Sequence, residues 1–525
     1  MKNSLVKSTS IVALSTLFSR ITGFIRDMII ADCFGASGKL DGFFIAFRIP
    51  NLLRRLVAEG ALTISFIPIY TEYLTKRDHK EALELAQKTL SILILILIVF
   101  TVIGEIFSPA IVKLFAYGFT DSARIGLTVF LNRILFPYIF LVGLVAFSMG
   151  VLNSHGRFFS PAFAPVLLNV GFIIGAIYFS RFFNEPLYGL AIGVLFGGLL
   201  QVLLQIPYLI NTGFRIKFSV DLKHPGIRRI FRMITPALFG IAVYQINILM
   251  STILASMLAP GSISYLYYSD RLTEIVLGVF IFSISNVILP EMSNFSANND
   301  LERLKSLYII AVKASLFLAI PASIAMMTVG TPIISTLFMR GEFTPLHVSL
   351  TYKALLYASI GVTSISILRI TTPAFYSLKD TKTPVITSAI AFILNIVLGY
   401  LLMQTSLKHA GLSLANSISV TVQTIILVGW LQRRIGILSI ESLILPVIKY
   451  IASGLVMAYI IWNISGFVDW FNDPFAKRLL FLLLIVIVGG TTYLLICIVA
   501  GVKEISLVRD KLYKISKATF SKRRE

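Results

Sequence analysis

Long runs without a single charge recur along this chain: Leu90–Val102, Val166–Tyr178, Leu190–Gln205, Ile386–Met403 and Leu479–Ala500. Each sits in a window close to the ~20 apolar residues that a helix needs to cross a bilayer core. In hydrocarbon a segment must satisfy its own backbone, as closed helices and closed barrels do, and these runs lack the alternation of a barrel strand. The pattern therefore predicts an all-α integral membrane protein. Breaks at Gly, Pro and charged residues divide the chain into about fourteen transmembrane helices. They fall near 9–31, 41–73, 86–107, 126–152, 158–180, 187–210, 230–257, 262–290, 305–328, 347–370, 382–404, 410–432, 442–465 and 478–501.

Loop charges orient these spans. With a cytoplasmic N-terminus, the inside loops carry Lys2, Lys7, Lys76, Arg77, Lys80, Arg157, Arg215, Lys217, Lys223, Arg228, Arg229, Arg232, Arg303, Lys305, Lys379, Lys382, Arg433 and Arg434, followed by the basic tail Lys503–Arg524. The outside loops hold Lys39, Lys113, Arg124, Arg181, Arg340, Lys408, Lys477 and Arg478. That asymmetry, roughly three to one, supports an even number of spans and places both termini in the cytoplasm. The tail reads as a stop signal that touches anionic headgroups.

The chain also resembles itself at an offset of about 222 residues. Ile67-Pro68 recurs as Leu289-Pro290, Gly189-Leu190 as Gly411-Leu412 and Gln201 as Gln423, while Pro161 pairs with Pro384 one residue further on. Six helices fill one repeat, and an even number restores the orientation, so two parallel six-helix lobes are expected, with the last two helices outside the repeat. The expected division is 1–225 for helices one to six, 226–437 for helices seven to twelve, 438–502 for helices thirteen and fourteen, and 503–525 for the tail.

Composition agrees. Of 525 residues 57% are apolar and 14% charged, well above the apolar share of roughly 45–50% in soluble domains. The net charge of +21 is accounted for by inside loops, so no nucleic-acid partner is expected. Two cysteines, Cys33 and Cys497, offer neither a disulfide framework nor a CxxC signature, and five scattered histidines offer no metal-ligand spacing. No cleavable signal peptide is evident, since the first helix carries Arg20 and Arg26.

Charges stand where lipid would be. The first span carries Arg20, Arg26 and Asp27, the second Asp41, Arg48, Arg54, Arg55 and Glu59, and the eighth Asp270, Arg271 and Glu274. A charge at the bilayer centre costs from about 2.5 to over 10 kcal/mol, so these groups must face protein, water or each other. On a helix, Arg20, Gly23 and Asp27 share a face with Arg26 at its edge, and Ser264, Tyr267, Arg271, Glu274 and Gly278 form a second stripe; both can line one space between the lobes. Arg48, Arg55 and Asp41 also read as structural ion pairs or snorkelling ends. Arg20, Arg26 and Arg54 do not, because arginines outnumber acids in the first two spans; Arg271 joins them by sharing the stripe. An anionic ligand would supply the missing charge, and the planar arginine fork suits phosphate. Asp27 reads as the organiser that holds Arg26 or Arg271. Pro50 and Gly23 are bending points or packing positions.

Spans seven, eleven and twelve contain no Asp or Glu, which disfavours a carboxylate cation site there. No cofactor is expected, and the membrane potential is available as a driving force. Gly35-Ala-Ser-Gly-Lys39 lacks the phosphate-loop spacing and reads as a turn, so no ATP motor is present. The segments at 339–345 and 379–384 read as an outside and an inside turn. The expected activity is transport of an anionic, lipid-like solute; the rivals are an exporter of the same architecture for drugs or another lipid-linked solute, and a membrane scaffold or enzyme. A drug/cation antiporter would want unpaired acids in its cavity, and an enzyme a single indispensable acid or nucleophile.

Several blocks carry a resemblance: FSRITGFIRD at 18–27, DGFFIAFRIPNLLRR at 41–55, AEGA at 58–61, FIPI at 66–69, PAFAP at 161–165, YYSDRL at 267–272, GEFT at 341–344 and HAGL at 409–412. With these the chain resembles, over nearly its whole length, the MurJ/MviN family of bacterial lipid II flippases, within the multidrug/oligosaccharidyl-lipid/polysaccharide exporter superfamily. The resemblance implies two lobes forming a V-shaped cationic cavity and two C-terminal helices forming a groove for the undecaprenyl tail. It implies that Arg20, Arg26, Arg54 and Arg271 engage the diphosphate and head group, and that Asp27, Asp41, Glu59 and Ser264 shape the cavity. Some members bind sodium through acids in the seventh and eleventh spans; this sequence lacks them, which puts sodium coupling in doubt. The implied setting is the bacterial inner membrane, with lipid II and membrane lipids as partners, cell-wall synthesis proteins as further candidates, and a monomeric state.

Overall fold

The computed structural model describes residues 2–54, 65–278, 282–437 and 440–502. Among the described residues regular structure is helical, with no strand. The helices are α1 (Lys2–Phe34), α2 (Gly38–Arg54), α3 (Ile67–Lys76), α4 (His79–Ile106), α5 (Ser108–Phe115), α6 (Ser122–Leu135), α7 (Tyr138–Ser154), α8 (Phe159–Ile177), α9 (Pro186–Ile210), α10 (Pro225–Ser256), α11 (Ser262–Val276), α12 (Phe282–Ala297), α13 (Leu301–Phe338), α14 (Pro345–Ser377), α15 (Lys382–Met403), α16 (His409–Ile435), α17 (Ile440–Ser465) and α18 (Phe475–Val499).

Ten of the expected spans coincide with helices long and apolar enough to cross a bilayer: α4, α6 with α7, α8, α9, and α13 through α18. This is a multi-pass membrane protein. The other four expected spans fall on α1, on α2 with α3, on α10 and on α11 with α12. These carry the intramembrane charges or include residues outside the described set, so length and hydropathy alone do not mark them. The basic tail at 503–525 and the expected cavity residue Glu59, with Arg55 beside it, lie outside the described residues.

Two compact units emerge, one of Met1–Ser264 with Arg340–Phe343, the other of Tyr265–Met339 with Thr344–Glu525. In the first, α8 packs on both α1 and α9, and α2 packs on α6. The α8–α9 seam is built from glycine. Gly171 and Gly175 face Gly193 and Gly197 so closely that a Cβ on any of the first three would strike the opposite backbone. Small residues bring membrane helices together because, in lipid, close packing replaces the hydrophobic drive. Gln201 of α9 adds a buried tie, donating to the Ala164 carbonyl at 2.9 Å.

In the second unit α13 bends at Val329, whose φ/ψ of −117°/29° leave the helical region between Pro321 and Pro332. Proline removes a backbone donor and crowds the preceding turn, which accounts for a bend here. Of the two C-terminal helices, α17 packs on α13, and α18 packs on α17 and also touches α13. Tyr493 donates to the Phe317 carbonyl at 2.9 Å, and the Phe317 ring meets Tyr450 edge-on at 5.6 Å. Gln423 of α16 donates to Ser388 of α15 at 2.9 Å. The residue paired with Gln201 by the repeat thus ties the equivalent helix pair.

Candidate functional site

The arginines of α1 have opposite fates. Arg20 is exposed and, among the described residues, its guanidinium has no hydrogen bond or ion pair. Arg26, two turns on, is held from three sides. Its Nη2 and Nε donate to Asp27 Oδ1 at 2.7 and 3.0 Å, its Nη1 donates to Asn169 Oδ1 of α8 at 3.0 Å, and its charge lies 4.9 Å from the Phe172 ring centre. Asn169 is in turn oriented by α1, because its Nδ2 donates to the Ser19 carbonyl and the Thr22 hydroxyl at 3.1 and 3.2 Å. Gly23 makes this approach possible: a Cβ there would lie 3.3 Å from Asn169 Nδ2. Asp27 is therefore the organiser of Arg26. The expected cation surplus is correspondingly smaller at Arg26, whose neighbour in sequence supplies a carboxylate.

Arg54, at the end of α2, is half-buried and donates from Nε to Asn51 Oδ1 at 2.8 Å. Arg48 donates to the Thr252 hydroxyl of α10. The fully buried Tyr138 lies within electrostatic reach of both Arg54 and Arg26, and its ring meets Phe47, which in turn packs on Phe172 at 5.1 Å. An aromatic nest thus connects the two arginine positions inside the first unit.

Asp41 is 1% exposed and fully engaged. It accepts from Arg124 Nη2 at 2.8 Å, from the Gly261 and Ser264 amides at 2.7 and 2.8 Å, and from the Ser264 hydroxyl at 2.6 Å. The amides belong to the start of α11, so Asp41 caps that helix from a distant part of the chain, where a carboxylate also complements the helix dipole. Arg124 additionally donates to the Gly38 carbonyl at 2.8 Å and lies over Phe119. Ser264 therefore serves Asp41 instead of continuing the stripe expected on α11.

The remainder of that stripe does assemble, within the second unit. Arg271 donates to Glu274 at 2.9 Å and to the Tyr267 hydroxyl at 3.1 Å, its charge 4.7 Å from the Tyr267 ring centre. The pair is exposed, with about a third of the Arg271 side chain open, so the guanidinium can reach a ligand.

One contributor, Asn169, is unmarked by charge in the sequence, and two loop cations, Arg124 and Arg478, are largely buried. Asn169 is a neutral amide in an apolar run and carries no charge signal; its only mark is a polar residue on a helix that has few. Arg124, counted among the outside loop charges, has a side chain only 11% exposed because Asp41 draws it in. Arg478, expected in the same class, is 7% exposed and donates to the Ser335 and Trp470 carbonyls at 3.2 and 3.4 Å.

Comparison with known proteins identifies the family. Residues 30–481 match the family model described as lipid II flippase MurJ. A probable lipid II flippase MurJ from Vibrio cholerae is 36% identical over 512 residues, covering 95% of this chain and 97% of that one. A lipid II flippase MurJ from Burkholderia cenocepacia is 35% identical over 424 residues, covering 80% of this chain and 82% of its own. Among solved structures, a lipid II flippase MurJ in an inward closed conformation matches with a TM-score of 0.77 at 27% identity, covering 92% of this chain and 97% of that one. A multidrug resistance MATE family transporter matches at TM-score 0.68 and 16% identity over 82% of this chain and 98% of its own, a likeness of fold alone. With relatives matched along nearly their whole lengths and a family model spanning most of the sequence, this chain belongs to the MurJ family of lipid II flippases.

Proposed function

We propose that this protein carries lipid II from the cytoplasmic to the outer leaflet by alternating access through an arginine-lined central cavity. The observation that carries the reading is the match of residues 30–481 to the MurJ family model. Physical chemistry gives it a reason. A diphosphate and a polar head group moved bare through hydrocarbon would lose their hydrogen bonds to water at a cost of several kcal/mol per group. A seat with fixed guanidinium donors replaces those bonds. Arg20, exposed and without a protein partner among the described residues, and Arg271, partly open, are the cations best placed to meet a phosphate. Arg26 and Arg54 add positive potential from more anchored positions. Asp27, Asp41 and Ser264 hold arginines and helix ends in place.

The undecaprenyl tail stays in lipid, along a groove of α17 and α18. We assign the protein to the bacterial inner membrane as a monomer with both termini cytoplasmic, near cell-wall synthesis proteins. The membrane potential drives the cycle, worth about 2.3 kcal/mol per charge per 100 mV, and no cofactor takes part.

Reconstitution in sealed vesicles tests the reading: arrival of lipid II in the far leaflet is compared for the intact protein and for Arg20→Ala, Arg26→Ala and Arg271→Ala. Transport should fall in each. Normal transport by all three at unchanged protein levels removes the proposed site. Unchanged transport after an ionophore collapses the potential removes the proposed driving force.

A further inference from the structure

Between α9 and α10 the chain leaves regular structure and follows the flank of α4 from residue 214 to 221. Phe214 anchors the start, 1% exposed, with its ring 5.8 Å from Phe147. Ties to α4 then follow along the chain. The Arg215 carbonyl accepts from Gln87 at 2.9 Å, the Ser219 amide donates to Ser91 at 2.9 Å, and Asp221 accepts from Lys88 at 3.0 Å. Three ties within seven residues hold the segment against the helix as a strap. Between and beyond these ties Ile216, Phe218, Val220 and Leu222 are exposed by 78%, 64%, 45% and 60%. Scattered exposed apolar residues are ordinary, but four in one row held out by a pinned backbone are not.

The height of this row along α4 says what covers it. Opposite the strap α4 changes character: Lys80, Glu81, Glu84 and Lys88 give way at Leu90 to the chargeless run. The strap follows directly on α9, whose last turns expose the apolar Leu203, Ile206 and Ile210. The row thus follows the exposed apolar end of α9 along the chain and lies where polar sequence meets apolar sequence. Arg215, Lys217 and Lys223 are exposed beside it, whereas the one acid in the strap, Asp221, is occupied by Lys88. A row of apolar side chains flanked by cations matches the boundary between headgroups and acyl chains of an anionic leaflet.

We propose that the 214–223 strap is a membrane-surface anchor whose Ile216, Phe218, Val220 and Leu222 side chains enter the acyl boundary of an anionic phospholipid leaflet while Arg215, Lys217 and Lys223 meet its phosphates. The proposal stands apart from the identity of the transported lipid. Its test uses the full chain with Trp430, Trp462 and Trp470 replaced by Phe and Phe218→Trp introduced, in vesicles of phosphatidylglycerol with phosphatidylcholine brominated near the headgroup. Emission should fall about twofold relative to unbrominated vesicles, as expected for a ring ~5–10 Å inside the boundary. Ser219→Trp, at a tied position, should be quenched less. Omitting phosphatidylglycerol should weaken the quenching, and Lys217→Gln with Lys223→Gln should do the same. If Phe218→Trp is unquenched in monodisperse protein, the row faces water or a partner protein and the proposal fails; quenching indifferent to phosphatidylglycerol overturns the anionic part. Phe218→Cys carrying a bimane label gives the same readout with the native tryptophans kept.

Discussion

Asp41 and Ser264 are 223 residues apart in the chain and joined by two hydrogen bonds, from the Ser264 amide and from its hydroxyl. Both residues belong to the first compact unit, where this contact ties α2 to the start of α11. With Arg124 and the Gly261 amide the carboxylate has four donors on it, and it is buried.

Breaking this hub should be costly. Arg124→Ala leaves a buried carboxylate without its cation and should destabilise the protein by about 3–5 kcal/mol, whereas Ser264→Ala, which keeps the amide, should cost about 1–2 kcal/mol. Thermal or denaturant unfolding in detergent measures both. The double variant should fall short of the sum, because both partners act on one group; simple additivity would contradict the shared hub.

Arg26 is seated by geometry as well as charge. Arg26→Lys keeps the charge but loses the planar fork that reaches Asp27 and Asn169 together. Lipid II transport in vesicles should therefore drop by about tenfold or more, the ratio that corresponds to about 1.4 kcal/mol. Asn169→Leu should lower it in the same direction. Full activity of both variants would show that the seat is dispensable.

The glycine seam makes a contrast between positions. Gly171→Val would drive a side chain into the α9 backbone and should cost about 1–3 kcal/mol or more through overpacking. Gly126→Ala and Gly429→Ala, where a Cβ meets nothing within 4 Å, should be neutral or stabilising by up to about 1 kcal/mol. Unfolding in detergent ranks the three; equal effects would sink the packing argument.

At the turn before α15, Asp380 accepts from the Thr383 amide at 3.0 Å and the Thr383 hydroxyl at 2.8 Å, with Arg434 at 3.5 Å. The Thr383 amide first, then its hydroxyl, hold this carboxyl below the usual aspartate range. A depressed folded-state value means the stabilisation is present above the unfolded value, near pH ~4, and is lost as pH falls through the folded value. Stability measured from pH 6 downward should decline more steeply below pH ~4 for the native protein than for Asp380→Asn. Parallel curves would remove Asp380 as a contributor.

Much of the fold is legible in sequence because the bilayer imposes one long apolar period on every lipid-facing span, as in Lys382–Met403 and Phe475–Val499. Among the spans that escape this rule, α1, α2 and α11 carry charge within the helix, where length and hydropathy compete with ionisable groups. The site was legible at the level of residue type and helix face. It was not legible at the level of partners. Helical periodicity sets Arg26 at the edge of a stripe, but whether its long side chain meets Asp27, Arg271 or a ligand depends on what α8 places opposite, and Asn169 is silent in a charge count. Arg124 and Arg478 were misread for a related reason: a cation near a helix end looks solvated until a distant carboxylate or a free carbonyl is folded against it.

The glycine contact between α8 and α9 has a mechanical corollary. Gly189, Gly193 and Gly197 recur every fourth residue on α9 and strip one face of side chains, so a bulkier residue on either helix would wedge the pair apart instead of being absorbed by a side chain that can turn aside.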